Sequence, residues 1–114
     1  MPRLRTLEVW FALAVFAATL ALPAMAATEI FTGKVSDTMC GAKHKEGIPP
    51  AECVRACVKH GAKYALVIGD KVYTLDTPNQ ATKDELYKLA WEDAKVTGTA
   101  SGDTISVKSV SAAK

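Results

Sequence analysis

Outside the stretch "MCGAKHKEGIPPAECVRACVKHG", which runs from Met39 to Gly61, the chain has no cysteine and no histidine. Thiol, imidazole and soft-metal chemistry are therefore confined to that one segment. Other absences narrow the reading further. There is no C-x-x-C, which removes the thioredoxin-type motif, and no C-x-x-C-H, which removes covalent haem attachment. The apolar run Val9 to Leu22 falls short of the roughly 18 to 20 residues that a spanning helix needs. Net charge is only +2 over 114 residues, so no strongly basic surface for nucleic acid is expected. No nucleophile-elbow glycine pattern surrounds Ser36, so Ser36, Asp37 and His44 do not read as a hydrolytic set. With no other catalytic constellation recognised, the chain is not expected to be an enzyme.

Arg3 and Arg5 precede the apolar run, and Ala24-Met25-Ala26 follows it as a small-x-small cleavage pattern. These features predict a secretory signal peptide over residues 1–26, and no cysteine after the run indicates lipid anchoring. A single domain over 27–114 is then expected, exported to the periplasm or secreted, with no membrane association after cleavage. Its 88 residues are near the size at which a core alone suffices, so a cross-link or a bound metal is useful. Two arginines and one glutamate leave with the leader, so the remaining charge is +1.

Within 27–114, Ile30 to Asp37 carries β-branched and aromatic residues in rough alternation, the pattern of a half-buried strand, with Gly33 marking a bulge or close backbone approach. Tyr64 to Ile68 and Val72 to Leu75, separated by Gly69-Asp70-Lys71, form a predicted hairpin. Thr82 with Glu85 reads as a capping box opening a short helix whose inner face carries Leu86, Leu89 and Ala90. Trp91 is expected to cover the core at the end of that helix, and Tyr64, Tyr73 and Tyr87 to border the core. Lys95 to Thr99 and Thr104 to Val110, around Ser101-Gly102-Asp103, give a second hairpin. The predicted fold is mainly β with two short helices. Five strands with a helix between the third and fourth suggest an OB-like barrel, and the helix-bearing Cys/His segment is then an insertion between strands one and two. A small open antiparallel sheet with two packed helices is the rival arrangement.

Pro49 and Pro50 before "AECVRACVKH", and Gly61 after it, bracket a short helix. At about 100° per residue, Cys53, Cys57 and His60 share a narrow arc with Val54 and Val58 beside them, while Glu52, Arg55 and Lys59 lie on the opposite side. Cys40 and His44 stand earlier, near the end of the first strand. Three uses of these residues compete. A disulfide from Cys40 to Cys53 or Cys57 would close a loop of about 13 to 17 residues and stabilise by roughly 3 kcal/mol. It leaves one odd thiol, and with it a disulfide-linked dimer as an alternative to a monomer. A metal site would draw on Cys40, Cys53 and Cys57 with His60 or His44, a nitrogen-and-sulfur donor set suited to Zn2+ or copper, and Met39 would add a thioether for copper. A redox pair of Cys53 and Cys57, with Cys40 as its resolving partner, is the third. Under any of the three, the insertion is where an unidentified protein or small ligand would bind.

The segments "GKVSDTMCGAKH", "CVRACVKHGAKYALVIGDKVYTL" and "VTGTASGDTISVKSV" resemble a group of small exported bacterial domains of unknown function with a Cys-x3-His…Cys-x3-Cys pattern. More distantly, the strand order and the closing hairpin are similar to the exported bacterial OB-fold family. The resemblance singles out Cys40, Gly41, His44, Cys53, Cys57 and Gly61, and it implies no reaction. The chain departs from the pattern at "LAWEDAKVTGT", where a glycine-rich turn is usual, and this leaves the start of the fourth strand unset.

Overall fold

A computed structural model describes residues 27–114, so the leader expected over 1–26 lies outside the described residues. Five strands and two helices follow in the order β1 (Glu29–Asp37), α1 (Pro50–Lys59), β2 (Tyr64–Ile68), β3 (Lys71–Asp76), α2 (Gln80–Lys88), β4 (Asp93–Ser101) and β5 (Thr104–Ala112). The expected strands are all present. β2 has the expected bounds, and the other four run one to four residues longer, β4 most of all, because the pairing extends past the residues whose alternation marks them.

The sheet closes on itself. The first part of β1 pairs antiparallel with β4, from Glu29 opposite Gly98 to Lys34 opposite Asp93. Its last part, Lys34 to Asp37, pairs antiparallel with β2. β2 continues to β3 through a hairpin, β3 runs parallel to β5 at Thr74–Asp76, and β5 returns antiparallel to β4. Each strand therefore has two neighbours, in the ring order β1-β2-β3-β5-β4. Along β1 the β4 register ends and the β2 register begins at Lys34, next to Gly33.

Inside the ring lie Val35, Leu66, Leu75, Ala94, Val96 and Ile105, all essentially inaccessible to solvent. These are the inward positions of their strands. Leu86 of α2 and Val54 of α1 join the same core, with Leu89 and Ala90 completing the face expected for the second helix. That helix does not open with the Thr82 capping box. Asn79 is its N-cap, and the Asn79 side-chain oxygen accepts from the N–H groups of Ala81 and Thr82 at 2.8 and 3.3 Å. Asparagine just after Pro78 reaches the unpaired amides first, which leaves Thr82 inside the helix.

The tyrosines divide. Tyr64 is buried and Tyr73 half-buried, but Tyr87 is 54% exposed. Arg55 of α1 covers the Tyr87 ring at 4.9 Å and donates from Nε to the Tyr87 carbonyl at 3.0 Å, so it ties the helices together rather than only facing water. Burial pushes the Tyr64 hydroxyl above its ordinary pKa of 10.0. A raised native value means that the folded state holds this proton more tightly than the unfolded chain does, so its contribution is intact below pH 10 and declines above it. The urea midpoint is expected to fall as the pH rises above 10, and less steeply in Tyr64→Phe.

Candidate metal centre

β1 ends in a turn built by its own last residue. Asp37 is fully buried, and its Oδ1 accepts from the N–H groups of Met39 and Cys40 at 2.9 and 2.8 Å. The Gly41 N–H donates to the Asp37 carbonyl at 2.9 Å, and the Ser36 hydroxyl donates to the Gly41 carbonyl at 2.6 Å. This curl is the local conformation that an aspartate placed ahead of a C-G dipeptide favours. Thr38 and Lys63 join the two ends of the long connection, through Thr38 N–H to the Lys63 carbonyl and Lys63 N–H to the Thr38 hydroxyl.

α1 supplies the other two sulfurs. It begins at Pro50, one residue earlier than expected, with Pro49 as its N-cap, and a Schellman closure ends it: Gly61 N–H bonds to the Val58 carbonyl and Ala62 N–H to the Cys57 carbonyl. Gly61 has φ +109°, a conformation glycine adopts without cost. Cys53 is buried and Cys57 half-buried.

The curl brings the Cys40 Sγ between them, 3.2 Å from the Cys53 Sγ and 3.4 Å from the Cys57 Sγ. All three are free thiols, and neither separation is the roughly 2.05 Å of a disulfide. Tetrahedral zinc thiolates, with bonds of about 2.3 Å, hold sulfurs about 3.8 Å apart, a few tenths of an ångström beyond these contacts.

Two sets of ligand atoms lie within 4.8 Å of one another, one formed by Cys40, His44 and Cys53 and the other by Asp37, Cys40 and Cys57. Cys/His groups are thus close enough to hold a metal ion, and Cys40 belongs to both sets. His60 belongs to neither. It is the exposed C-cap residue of α1, where the helix gives way to Gly61 and the helical spacing that aligned it with the cysteines no longer applies. Met39 is 67% exposed and is also outside both sets. Asp37 is the residue that sequence reasoning missed. Its signal was an acidic side chain at the end of a strand, directly before the turn that carries a cysteine.

Both nitrogens of His44 are buried without a hydrogen-bond partner, and so is Oδ2 of Asp37. Among the described residues these are the buried side-chain nitrogen and oxygen atoms left unpaired, and all three belong to the cysteine cluster. Leaving such an atom unpaired costs on the order of 1–3 kcal/mol. The imidazole stands edge-on to the Trp91 indole, with ring centroids 4.2 Å apart at 78°.

Trp91 has φ +60°, the left-handed region that suits glycine and that bulky residues rarely enter. It lies in the stretch where a glycine-rich turn was expected. Its N–H donates to the Val35 carbonyl at 2.7 Å, and the Glu92 carbonyl accepts from the Val35 N–H at 3.1 Å, which fixes this turn against β1. Strain of this kind persists when surrounding structure holds it in place. Trp91→Gly is expected to keep the fold within about 1 kcal/mol of wild type, because the turn suits glycine. The same change should weaken metal binding roughly tenfold by freeing the His44 ring, an effect read by titration against a chelator.

Burial pushes the Cys40 thiol well above its ordinary pKa, assisted by the neighbouring thiols and the Asp37 carboxylate. For Cys57 the Cys40 contact pulls downward, but burial, Asp37 and Cys53 outweigh it and the net shift is upward. An exchange-active cysteine has the opposite environment, one that lowers its pKa. Comparison with protein-family models, curated proteins and solved structures returns no match.

Proposed function

We propose that this is an exported OB-like domain whose first connection binds a soft metal ion, Zn2+ or copper, through Cys40, Cys53, Cys57 and His44. The two buried, unpaired nitrogens of the half-buried His44 imidazole, beside two thiols, carry the reading. A cation supplies the missing partner to the imidazole and the positive charge that lets buried thiols ionise. The strand order, with β3 parallel to β5 and α2 between β3 and β4, supports the OB-like assignment. The leader pattern of residues 1–26 supports export. An unidentified protein or small ligand would meet the domain at the same connection.

A disulfide-stapled module without metal is the second reading, and the 3.2 and 3.4 Å sulfur contacts favour it, since a modest approach would join Cys40 to either partner. That bond would leave the His44 nitrogens and the Asp37 Oδ2 as they are, buried and unpaired, so it explains less of the site. Titration of the reduced protein, residues 27–114, with Co2+ as a spectroscopic substitute for Zn2+ separates the two. Sulfur-to-cobalt charge-transfer absorption that saturates, and that Zn2+ then displaces, is expected. No such absorption, together with one free thiol in the aerobically purified protein, supports the stapled module instead.

A further inference from the structure

The two ligand sets share one sulfur and differ in everything else, and this division has a consequence for stoichiometry. Resting on the metal-binding reading, we propose that the centre holds two cations bridged by the Cys40 thiolate, one completed by Cys53 and His44 and the other by Asp37 and Cys57. Each set has its own buried, unpaired donor. His44, with both nitrogens unpaired, belongs to the first, and Asp37, whose Oδ2 is unpaired, belongs to the second. Asp37 is fully buried, its Oδ1 is already occupied by two backbone N–H groups, and no lysine or arginine pairs with it among the described residues.

Charge points the same way. Three thiolates and one carboxylate bring four negative charges to a site in which Asp37 and Cys53 are buried and Cys40 and Cys57 half-buried, and a single divalent ion would leave two of them uncompensated. A second divalent ion neutralises the set, which favours it most at the buried members. Cys40 is the only one of the three sulfurs placed to bridge, since it belongs to both sets while Cys53 and Cys57 each belong to one. The thiol protons leave to solvent as the cations bind, so loading releases protons.

Cadmium-113 loading of the reduced protein tests this with a probe that reports each ion separately. Two ions per chain by native mass spectrometry are expected, with two cadmium resonances split by coupling through the shared sulfur. Asp37→Asn keeps the Oδ1 that holds the turn but weakens the second position, and should reduce the count from two to one; His44→Ala should remove the other resonance. One ion in the wild-type protein overturns the two-cation proposal and leaves the single-ion reading standing. No ion overturns both. Two ions retained in Asp37→Asn overturn the assignment of Asp37. Because the wild-type count decides the stoichiometry, a variant that fails to fold does not leave the question open.

Discussion

Cys40→Ser is expected to lower the combined affinity for the two bridged Zn2+ ions by roughly 10⁴-fold, about 100-fold at each, against about 100-fold in all for Cys53→Ser or Cys57→Ser. Structural zinc sites are worth about 10–16 kcal/mol across four ligands, or about 3 kcal/mol for each, which is about two orders of magnitude in affinity. Cys53 and Cys57 each take part in one ligand set, whereas Cys40 takes part in both and lies in contact with both partner sulfurs. A hydroxyl is a poor substitute for thiolate toward a soft cation. The turn itself should survive, because the Asp37 bonds are made to the backbone N–H groups of Met39 and Cys40 and not to the sulfur. Competition against a chromophoric chelator gives the three affinities, and equal losses for all three variants would contradict the central place given to Cys40.

The second large effect belongs to the closure of the sheet. Gly33→Ala and Gly98→Ala are each expected to destabilise the fold by about 3 kcal/mol, a large share of the roughly 5–10 kcal/mol typical of a domain this size. A β-carbon at Gly33 would overlap the carbonyl oxygen of Val67, and one at Gly98 that of Ser106. Those oxygens belong to neighbouring strands of the same ring, so neither can rotate aside as a side chain would. Gly33 lies where β1 passes from β4 to β2, and Gly98 at the irregularity between β4 and β5. Neither glycine has a positive φ. Gly→Ala at a sterically free position with such a backbone normally stabilises by about 0.4–1 kcal/mol, so the sign of the change is diagnostic. Urea denaturation reads it, and an unchanged or raised midpoint would show that the strands can move apart at no cost.

Sequence alone conveyed the strands well because their information is local. Alternation in "KYALVIGDKVYTLD" and "VTGTASGDTISVKSV" marks which residues face inward, and the turns between them are marked by glycine with aspartate. Helix beginnings were less legible, since Asn79 and Thr82 are both good caps and only the position of the chain decides which amides need one. The cluster divides in the same way. Periodicity placed Cys53 and Cys57 together on α1, but extended the same arc to His60, where the helix has already ended. What no spacing rule conveys is the return of the loop, which sets Cys40 between the two helix sulfurs and His44 against Trp91. Asp37 was legible as the end of the first strand but not as a ligand, because the carboxylate acquires that meaning only when Cys57 arrives from α1. Trp91 was legible only in part. It was expected to cover the core, whereas its left-handed backbone and its imidazole partner come only with the folded chain.

Thiol counting on the purified protein, with and without a chelator, alongside metal analysis, tests the metal centre most directly. The account predicts bound metal and three cysteines that are silent toward a thiol reagent until the chelator is added, after which all three react. One reactive thiol, no metal and no response to the chelator would contradict it, and would make the cluster a disulfide staple with a sulfur to spare.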